Sequence, residues 1–279
     1  MNISTIIILI LTAFTLILIA CEKKEIDDRT KYFPKTELKP DNIPDKENIW
    51  VFVLAGQSNM AGRAQVEPND TIPNERIFSI NKYDDLIIAK EPLHFYEPTM
   101  AGLDCGLSFG KELINQIPDS ISILLIPAAI GGSSMSQWIN DSTFRNVTLF
   151  SNFKEKLQIG KKYGSIKGIL WHQGESDAAT TESIQVYDNQ LKELFTLFRK
   201  ETDDLSLPIF IGELGSYSKN DENWQAINKK IKEYTETDPN AYLIKTADLN
   251  DKGDRVHFDS EGQRKMGIRF AEKFMMTKE

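Results

Sequence analysis

The chain contains few cysteines, few histidines and no excess of positive charge. Its 279 residues include two cysteines and three histidines, and the formal net charge at pH 7 is −8. The acidic balance argues against nucleic acid as a partner, because binding to phosphates requires a basic surface. The scarcity of cysteine excludes a fold built on several disulfides. What is present in quantity is apolar sequence, since 41% of the residues are hydrophobic, enough for one substantial core.

The first 21 residues contain no charged side chain, and charge begins directly after Cys21. Residues 3–20 form an apolar run close to the roughly 20 residues that span a bilayer, so an uncleaved anchor is one interpretation. However, "LIAC" at residues 18–21 resembles the lipobox of bacterial lipoprotein signal peptides, although the usual Lys or Arg before it is missing. This resemblance implies cleavage before Cys21, lipidation of Cys21 and attachment of the protein to a membrane of the bacterial cell envelope. Both the periplasmic side and the cell surface are compatible with it. Cys105 is then left without a partner and is expected to be a small buried residue.

Residues 22–48 differ in composition from the rest of the chain. Fifteen of these 27 residues are charged and three are proline, which leaves too little apolar area for independent folding. We therefore expect a flexible tether between the membrane and a globular domain at residues 49–279.

From residue 49 onward, short apolar runs alternate with segments of helical periodicity. The predicted strands are 50–55, 77–81, 121–127, 166–171, 208–212 and 242–246. One helix is predicted around 183–200, and another from Ser260 to about Met275, where Ser260 and Gln263 have the spacing of a capping box. Apolar strands that alternate with helices predict a parallel sheet covered on both faces. Ligands of such sheets bind at the carboxyl ends of the strands.

Four polar blocks follow predicted strands or precede the last helix. The first strand runs into "GQSNM" with Ser58, and the third leads into a turn with Gly131 and Gly132. The fourth leads into "WHQGESD", residues 171–177, and "DRVHF" begins at Asp254 shortly before the last helix. These blocks are expected to meet at one edge of the sheet.

The residue types in these blocks are those that acyl transfer requires. Ser58 needs a base to act as a nucleophile, and His257 lies three residues after Asp254, a spacing that lets the carboxylate hold one ring nitrogen. Donors for an oxyanion are available from the backbone at Ser58, from the glycine turn and from the Gln173 carboxamide.

In this order, "GQSNMAGR", the "GGS" block, "WHQGESD" and the D-x-V-H-F block resemble the sialate O-acetylesterase and carbohydrate esterase family six group (SASA domain) of the SGNH hydrolases. The resemblance covers residues 50–275 and implies a three-layer α/β/α, flavodoxin-like fold that needs no cofactor. It also implies functional roles, with a catalytic triad of Ser58, Asp254 and His257 and an oxyanion hole of Ser58, one glycine of Gly131-Gly132, and Gln173. Gln173 departs from the general SGNH pattern, which has asparagine there.

Several neighbours of these residues remain open to more than one interpretation. Glu175 is an alternative to Asp254 as the carboxylate that orients His257. Gln57 and Asn59 are expected to support the site or contact substrate. Arg63 either binds a carboxylate that pins its loop or contacts the substrate, and Trp138 either packs in the core or forms a wall for a sugar ring.

Other candidates have simpler explanations. Ser133 and Ser134 are expected to shape the glycine turn. An α/β-hydrolase elbow, G-x-S-x-G, is excluded because Met60 occupies the position of its second glycine. A metal site at His172, Glu175 and Asp177 is disfavoured because the segment lacks the i, i+4 histidine pair of helical zinc sites. His94, which stands between prolines, is expected at the surface or rim.

The sequence thus predicts a serine esterase that removes O-acetyl groups from carbohydrates such as acetylated xylan-type polysaccharide or sialic acid. Two alternatives stay open: a surface glycan-binding lipoprotein without turnover, and a serine esterase for a non-carbohydrate ester. Substrate choice is expected to depend on the loops 64–75, 82–106 and 139–150.

Overall fold

A seven-stranded sheet lies at the centre of the computed structural model, which describes residues 28–278. The strands are β1 (Ile49–Gly56), β2 (Ile77–Ile80), β3 (Leu86–Ile88), β4 (Ser122–Pro127), β5 (Thr143–Phe144), β6 (Val147–Thr148), β7 (Ser165–His172), β8 (Ile209–Gly212) and β9 (Ala241–Ile244). The helices are α1 (Ser58–Ala61), α2 (Gly106–Leu113), α3 (Met135–Ile139), α4 (Leu149–Tyr163), α5 (Thr181–Thr202), α6 (Asp221–Thr237) and α7 (Ser260–Met276).

The strand order identifies the fold. The sheet runs β3-β2-β4-β1-β7-β8-β9, and every neighbouring pair is parallel except β2 with β3. Numbered along the chain, the five strands β1, β4, β7, β8 and β9 are arranged 2-1-3-4-5, the flavodoxin-like order. The hairpin of β2 and β3 extends the sheet beside β4, and β5 pairs with β6 separately. The predicted α/β fold with a mostly parallel central sheet is confirmed.

Helices cover both faces because successive side chains of a strand point to opposite sides. In β1, Val51 and Val53 belong to the core on the side of α4, α5 and α6. Phe52 and Leu54 belong to the core on the side of α2 and α7. Both faces are buried, which explains why the central strands are continuous apolar runs.

All six predicted strands and both predicted helices are present, with ends shifted by a few residues. The predicted capping box at Ser260 is wrong. Asp259 caps α7 by accepting a hydrogen bond from the Gly262 amide at 2.7 Å. The Ser260 hydroxyl instead donates to the Gln65 carbonyl at 2.7 Å. The sequence missed β3, because three residues carry too little pattern to distinguish a strand.

Of the predicted flexible tether, residues 22–48, the described part at 28–48 contacts the domain. Tyr32 and Phe33 pack on a small apolar cluster, and the Ile88 amide of β3 donates to the Leu38 carbonyl at 2.8 Å. The cluster consists of Ala64, Val66 and Leu103. Composition predicted only that this segment cannot fold alone, and the domain supplies the surface that it lacks. The segment also pairs part of an otherwise open sheet edge.

The predicted signal peptide, the lipidation at Cys21 and the beginning of the tether lie outside the described residues. Within residues 28–278, none of the helices combines the length and the apolar character needed to cross a bilayer.

Candidate active site

Ser58 is presented by an abrupt turn from β1 into α1. Gly56 has φ +133°, and a Cβ there would lie 2.1 Å from the His172 carbonyl oxygen on the neighbouring strand, so only glycine fits. The Gln57 amide donates to the same carbonyl at 2.9 Å. The turn therefore places Ser58 at the start of a helix, at the carboxyl edge of the sheet.

The structure brings together the three residues that the sequence predicted as a triad. The Ser58 hydroxyl lies 3.0 Å from Nε2 of His257, although the two residues are 199 positions apart. Nδ1 of His257 lies 2.7 Å from Oδ2 of Asp254. Asp254 Oδ1 also accepts the backbone amides of Val256, at 2.9 Å, and His257, at 2.8 Å.

The charge state of Asp254 fixes the orientation of the imidazole. Partial burial would raise the pKa of Asp254, but hydrogen bonds from the His257 ring and from the backbone amides lower it to about 2. The carboxylate is therefore ionised near neutral pH and accepts Nδ1–H, which leaves Nε2 of His257 to face the Ser58 hydroxyl. This is the arrangement in which a histidine takes a proton from a serine.

The alternative that Glu175 orients His257 is wrong in this structure. Glu175 Oε1 accepts a hydrogen bond from Asn59 Nδ2 at 2.6 Å. The same oxygen lies 3.7 Å from Nδ1 of His172, and Asp254 occupies the position against His257.

The two glycines of the third block differ in their hydrogen bonding. The Gly131 amide donates to Oε2 of Glu97 at 2.7 Å. Within residues 28–278, neither the Gly132 amide nor the Ser58 amide has a hydrogen-bond partner. The sequence left open which of the two glycines donates to an oxyanion. The Gly132 amide is available for this bond, whereas the Gly131 amide is already bonded to Glu97.

The expectation that Gln173 donates directly to an oxyanion is not supported. Its side chain is fully buried, and Nε2 lies 2.5 Å from Oδ2 of Asp177 and 3.1 Å from both Gln57 Oε1 and the Ser133 carbonyl. Two amide hydrogens shared among three acceptors leave none for a substrate. The carboxamide of Gln173 instead helps to hold Gln57, whose Oε1 also accepts the Ser176 amide at 3.3 Å.

Arg63 pins its loop through a carboxylate. Its Nη2 lies 2.7 Å from Oε2 of Glu97, and its side chain is only 3% exposed. Arg145 contacts the other oxygen of the same carboxylate. Burial would raise the pKa of Glu97, but Arg63, the Gly131 amide and Arg145 together lower it.

Sequence reasoning missed Glu97 and Arg145. Both lie in loops, at 82–106 and 139–150, that carry no local motif, and their relation to Gly131 is visible only after folding. The sequence signal for this arrangement was Gly131, where the close approach of Arg63 requires glycine. A Cβ at Gly131 would lie 2.1 Å from Arg63 Nη2.

Trp138 packs in the core, which is the first of the two interpretations left open by the sequence. It is fully buried, its Nε1 donates to the Ser133 hydroxyl at 2.8 Å, and its ring packs edge-to-face on Trp171. Ser133 donates to the Ile130 carbonyl at 2.8 Å, and Ser134 caps α3. The prediction that the two serines shape the turn is confirmed.

The prediction of a surface position for His94 is wrong. His94 is only 4% exposed, and its Nδ1 lies 2.8 Å from Oδ2 of the buried Asp104. The flanking prolines indicated an exposed loop, but the loop folds inward around the buried Glu91, whose carboxylate accepts the amides of Leu93 and Asp104 at 3.3 Å. Cys105 is buried, as predicted.

The side chains of His172 and Asp177 are engaged separately. His172 Nε2 contacts the Glu213 carbonyl at 2.9 Å, and Asp177 Oδ2 accepts the Met135 amide at 3.0 Å. Over the described part of the chain, no group of three His, Cys, Asp or Glu side chains is placed to hold a metal ion.

A cavity of about 730 Å³ opens beside His257 and Asp254. Its other walls are mostly polar and include Arg29, Gln65, Thr99, Lys252 and Ser260. Arg29 belongs to the N-terminal segment and donates to the Thr99 carbonyl at 2.7 Å. The segment that was expected to be a tether therefore contributes to the wall of the site.

Known proteins share this fold and sequence pattern. The sequence model of the family described as carbohydrate esterase, sialic acid-specific acetylesterase (SASA) matches residues 48–276. A probable carbohydrate esterase of Arabidopsis thaliana is 28% identical over 246 residues, which cover 81% of this chain and 90% of that protein.

Solved structures agree with the sequence comparison. A protein from Arabidopsis thaliana superposes with a TM-score of 0.74 at 25% identity, over 84% of this chain and 99% of that one. NanS superposes with a TM-score of 0.69 at 16% identity, over 85% of this chain and 99% of its own, which shows the same fold. The chain therefore belongs to the SASA family of carbohydrate esterases and is a carboxylic ester hydrolase.

Proposed function

We propose that the chain is a serine esterase that removes O-acetyl groups from a carbohydrate through an acetyl-enzyme. The observation that carries the proposal is the hydrogen-bonded sequence from Ser58 through His257 to Asp254. In the proposed reaction, His257 takes the proton from Ser58 while the serine oxygen attacks the acetyl carbonyl. The sugar oxygen then leaves with the proton from His257. Water repeats the two steps on the acetyl-enzyme and releases acetate.

The oxyanion of the tetrahedral intermediate needs donors close to Ser58. We assign this role to the backbone amides of Ser58 and Gly132, because neither has a partner among the described residues. Glu97 positions the Gly132 amide indirectly, since it accepts a hydrogen bond from the amide of the adjacent Gly131.

The position of His257 indicates where the sugar lies. The leaving oxygen must be within reach of the protonated His257, so the carbohydrate is expected on that side of Ser58. The cavity of about 730 Å³ is lined by His257 and Asp254, and its size and polar walls suit a saccharide.

Replacement of Ser58 tests the mechanism. In Ser58→Ala, kcat for acetate release from 4-nitrophenyl acetate should fall at least about a thousandfold, because the nucleophile is absent. Ser136→Ala, an exposed serine on α3, is the matched control and should retain the activity of the parent. Retained activity in Ser58→Ala, with the melting temperature unchanged, would remove Ser58 from its proposed role.

The substrate class is tested with acetylated glycans. The family is described as carbohydrate esterase, sialic acid-specific acetylesterase, and we propose acetylated xylan-type polysaccharide or acetylated sialic acid as the substrate. Acetate release is measured on both, and on a lipid acetate. Binding of glycans without turnover would support the receptor alternative, and activity on the lipid acetate alone would support the non-carbohydrate one.

We also propose that the esterase is attached to the membrane through a lipid on Cys21. The support is the "LIAC" block and the change from apolar to charged sequence at that residue. Mass spectrometry of the protein extracted from membranes should find a diacylglycerol-modified Cys21 as its first residue. An unmodified Met1 would contradict this.

A further inference from the structure

The loop that carries Asp254 and His257 ends in the buried ring of Phe258 and is shaped before it by hydrogen bonds within the loop. Residues 251–258 belong to no helix and to none of the strands. Asp251 Oδ2 accepts the amides of Gly253, at 2.9 Å, and Arg255, at 2.6 Å. These bonds shape the loop but do not fix it relative to Ser58.

Asn59 supplies the connection. Its Nδ2 donates to the Val256 carbonyl at 3.0 Å, and its Oδ1 accepts the Phe258 amide at 3.0 Å. Asn59 therefore binds the backbone on both sides of His257. Few hydrogen bonds link residues 251–258 to residues outside 250–259. Among the described residues, only Asn59 and the Ser58 hydroxyl form such bonds.

Glu175 fixes which way the Asn59 amide points. Its Oε1 accepts from Asn59 Nδ2 at 2.6 Å, and a carboxylate accepts hydrogen bonds but does not donate them. Nδ2 must then face Glu175, which leaves Oδ1 to accept the Phe258 amide. The Glu175 side chain is only 5% exposed, so water competes little for this bond. The main chain of Asn59 is fixed as well, because Gln263 Nε2 donates to its carbonyl at 2.9 Å.

We propose that Asn59 is a positioning residue that holds His257 against Ser58, and that Glu175 sets the orientation of its carboxamide. The inference rests on the proposed function, in which His257 is the base for Ser58. Asn59 directly follows Ser58, so the nucleophile and the residue that positions its base lie side by side on the short helix α1. Any displacement of α1 then moves Ser58 and His257 together.

The test compares three variants with the parent enzyme. In Asn59→Ala, kcat for 4-nitrophenyl acetate should fall on the order of a hundredfold, while KM changes by less than about threefold, because the base is misplaced and the binding walls are intact. Glu175→Ala should show the same pattern. Glu175→Gln keeps an acceptor oxygen for Asn59 and should lose much less activity than Glu175→Ala.

Asn228→Ala is the matched control. Asn228 also binds the amide and the carbonyl of a distant residue, Leu214, at 2.7 Å and 2.9 Å, but it lies on α6. Thermal melting of both asparagine variants gives the loss of stability, and only Asn59→Ala should lose kcat. Equal loss of kcat in the two variants, or a loss confined to KM, would overturn the inference.

The outcomes separate this inference from the proposed function. If Ser58→Ala is inactive and Asn59→Ala is as active as the parent, the positioning role fails and the esterase mechanism stands. If Glu175→Gln is as impaired as Glu175→Ala, the charge of Glu175 matters instead of its bond to Asn59, and that part of the proposal fails. If Ser58→Ala keeps its activity, the proposed function itself fails.

Discussion

At the residue scale, the two carboxamides beside Ser58 have different neighbours. Gln57 contacts Gln173 and Ser176 of the block that follows β7, whereas Asn59 contacts Glu175 of that block and, in addition, the loop around His257. The functional residues visible in the sequence were those inside motifs. The orientation of Gln173 was not visible, because it depends on Asp177 and Ser133 meeting the same amide in space.

Glu97 gives a prediction at the same scale. Arg63 is nearly buried, and Glu97 provides the carboxylate that compensates its charge. Glu97→Ala should therefore lower the free energy of unfolding by about 3 kcal/mol, the cost of leaving a buried charge without its partner. Urea denaturation of parent and variant measures the difference.

The control for this measurement is an exposed acidic residue. Glu233 on α6 is 46% exposed and pairs with Lys229 one helical turn away. Glu233→Ala should change the free energy of unfolding by no more than about 0.5 kcal/mol. If both variants lose a similar amount of unfolding free energy, Glu97 does not stabilise the protein by compensating the charge of the buried Arg63.

At the element scale, the central strands were predictable because burial on both faces makes each one a continuous apolar run. Apolar residues at helical spacing predicted α5. The helix α7 was predicted from a capping box at Ser260, although Asp259 is the residue that caps it. The sequence pattern could not show β3, β5 and β6, which are two or three residues long. It also could not show the contacts of Tyr32 and Phe33 with the domain, because they depend on apolar residues that are distant in sequence.

The N-terminal segment has a consequence for the site. Tyr32 and Phe33 pack beside the loop that follows α1, and Arg29 reaches the cavity next to His257. Part of the segment before β1 therefore belongs to the surroundings of the site.

At the scale of the whole molecule, the structure buries acidic groups on the side of the sheet covered by α2. Glu91 and Asp104 are both fully buried, and His94 contacts Asp104. Burial raises the pKa of Glu91 well above its usual 4.5, and the nearby charge of Asp104 raises it further, although backbone amides oppose the shift. The folded state therefore holds a proton on Glu91 more tightly than the unfolded chain does.

This difference predicts how stability changes with pH. A carboxyl group whose pKa is higher in the folded state contributes most to stability below pH 4.5, and the contribution is lost as the pH rises above that value. In Glu91→Gln the side chain cannot ionise, so this loss disappears. The variant should lose less stability than the parent between pH 5 and pH 8, as measured by urea denaturation at both values.

The comparison uses the change between the two pH values, because the substitution also alters a hydrogen bond. Glu91 Oε1 accepts the Leu107 amide at 3.3 Å, and an amide nitrogen at that position would leave Leu107 unsatisfied at every pH. That cost cancels in the difference. Glu236→Gln, at an exposed position on α6, should follow the parent at both pH values. If Glu91→Gln also follows the parent, Glu91 ionises alike in the folded and unfolded chains, and its burial does not control the alkaline side of the stability profile.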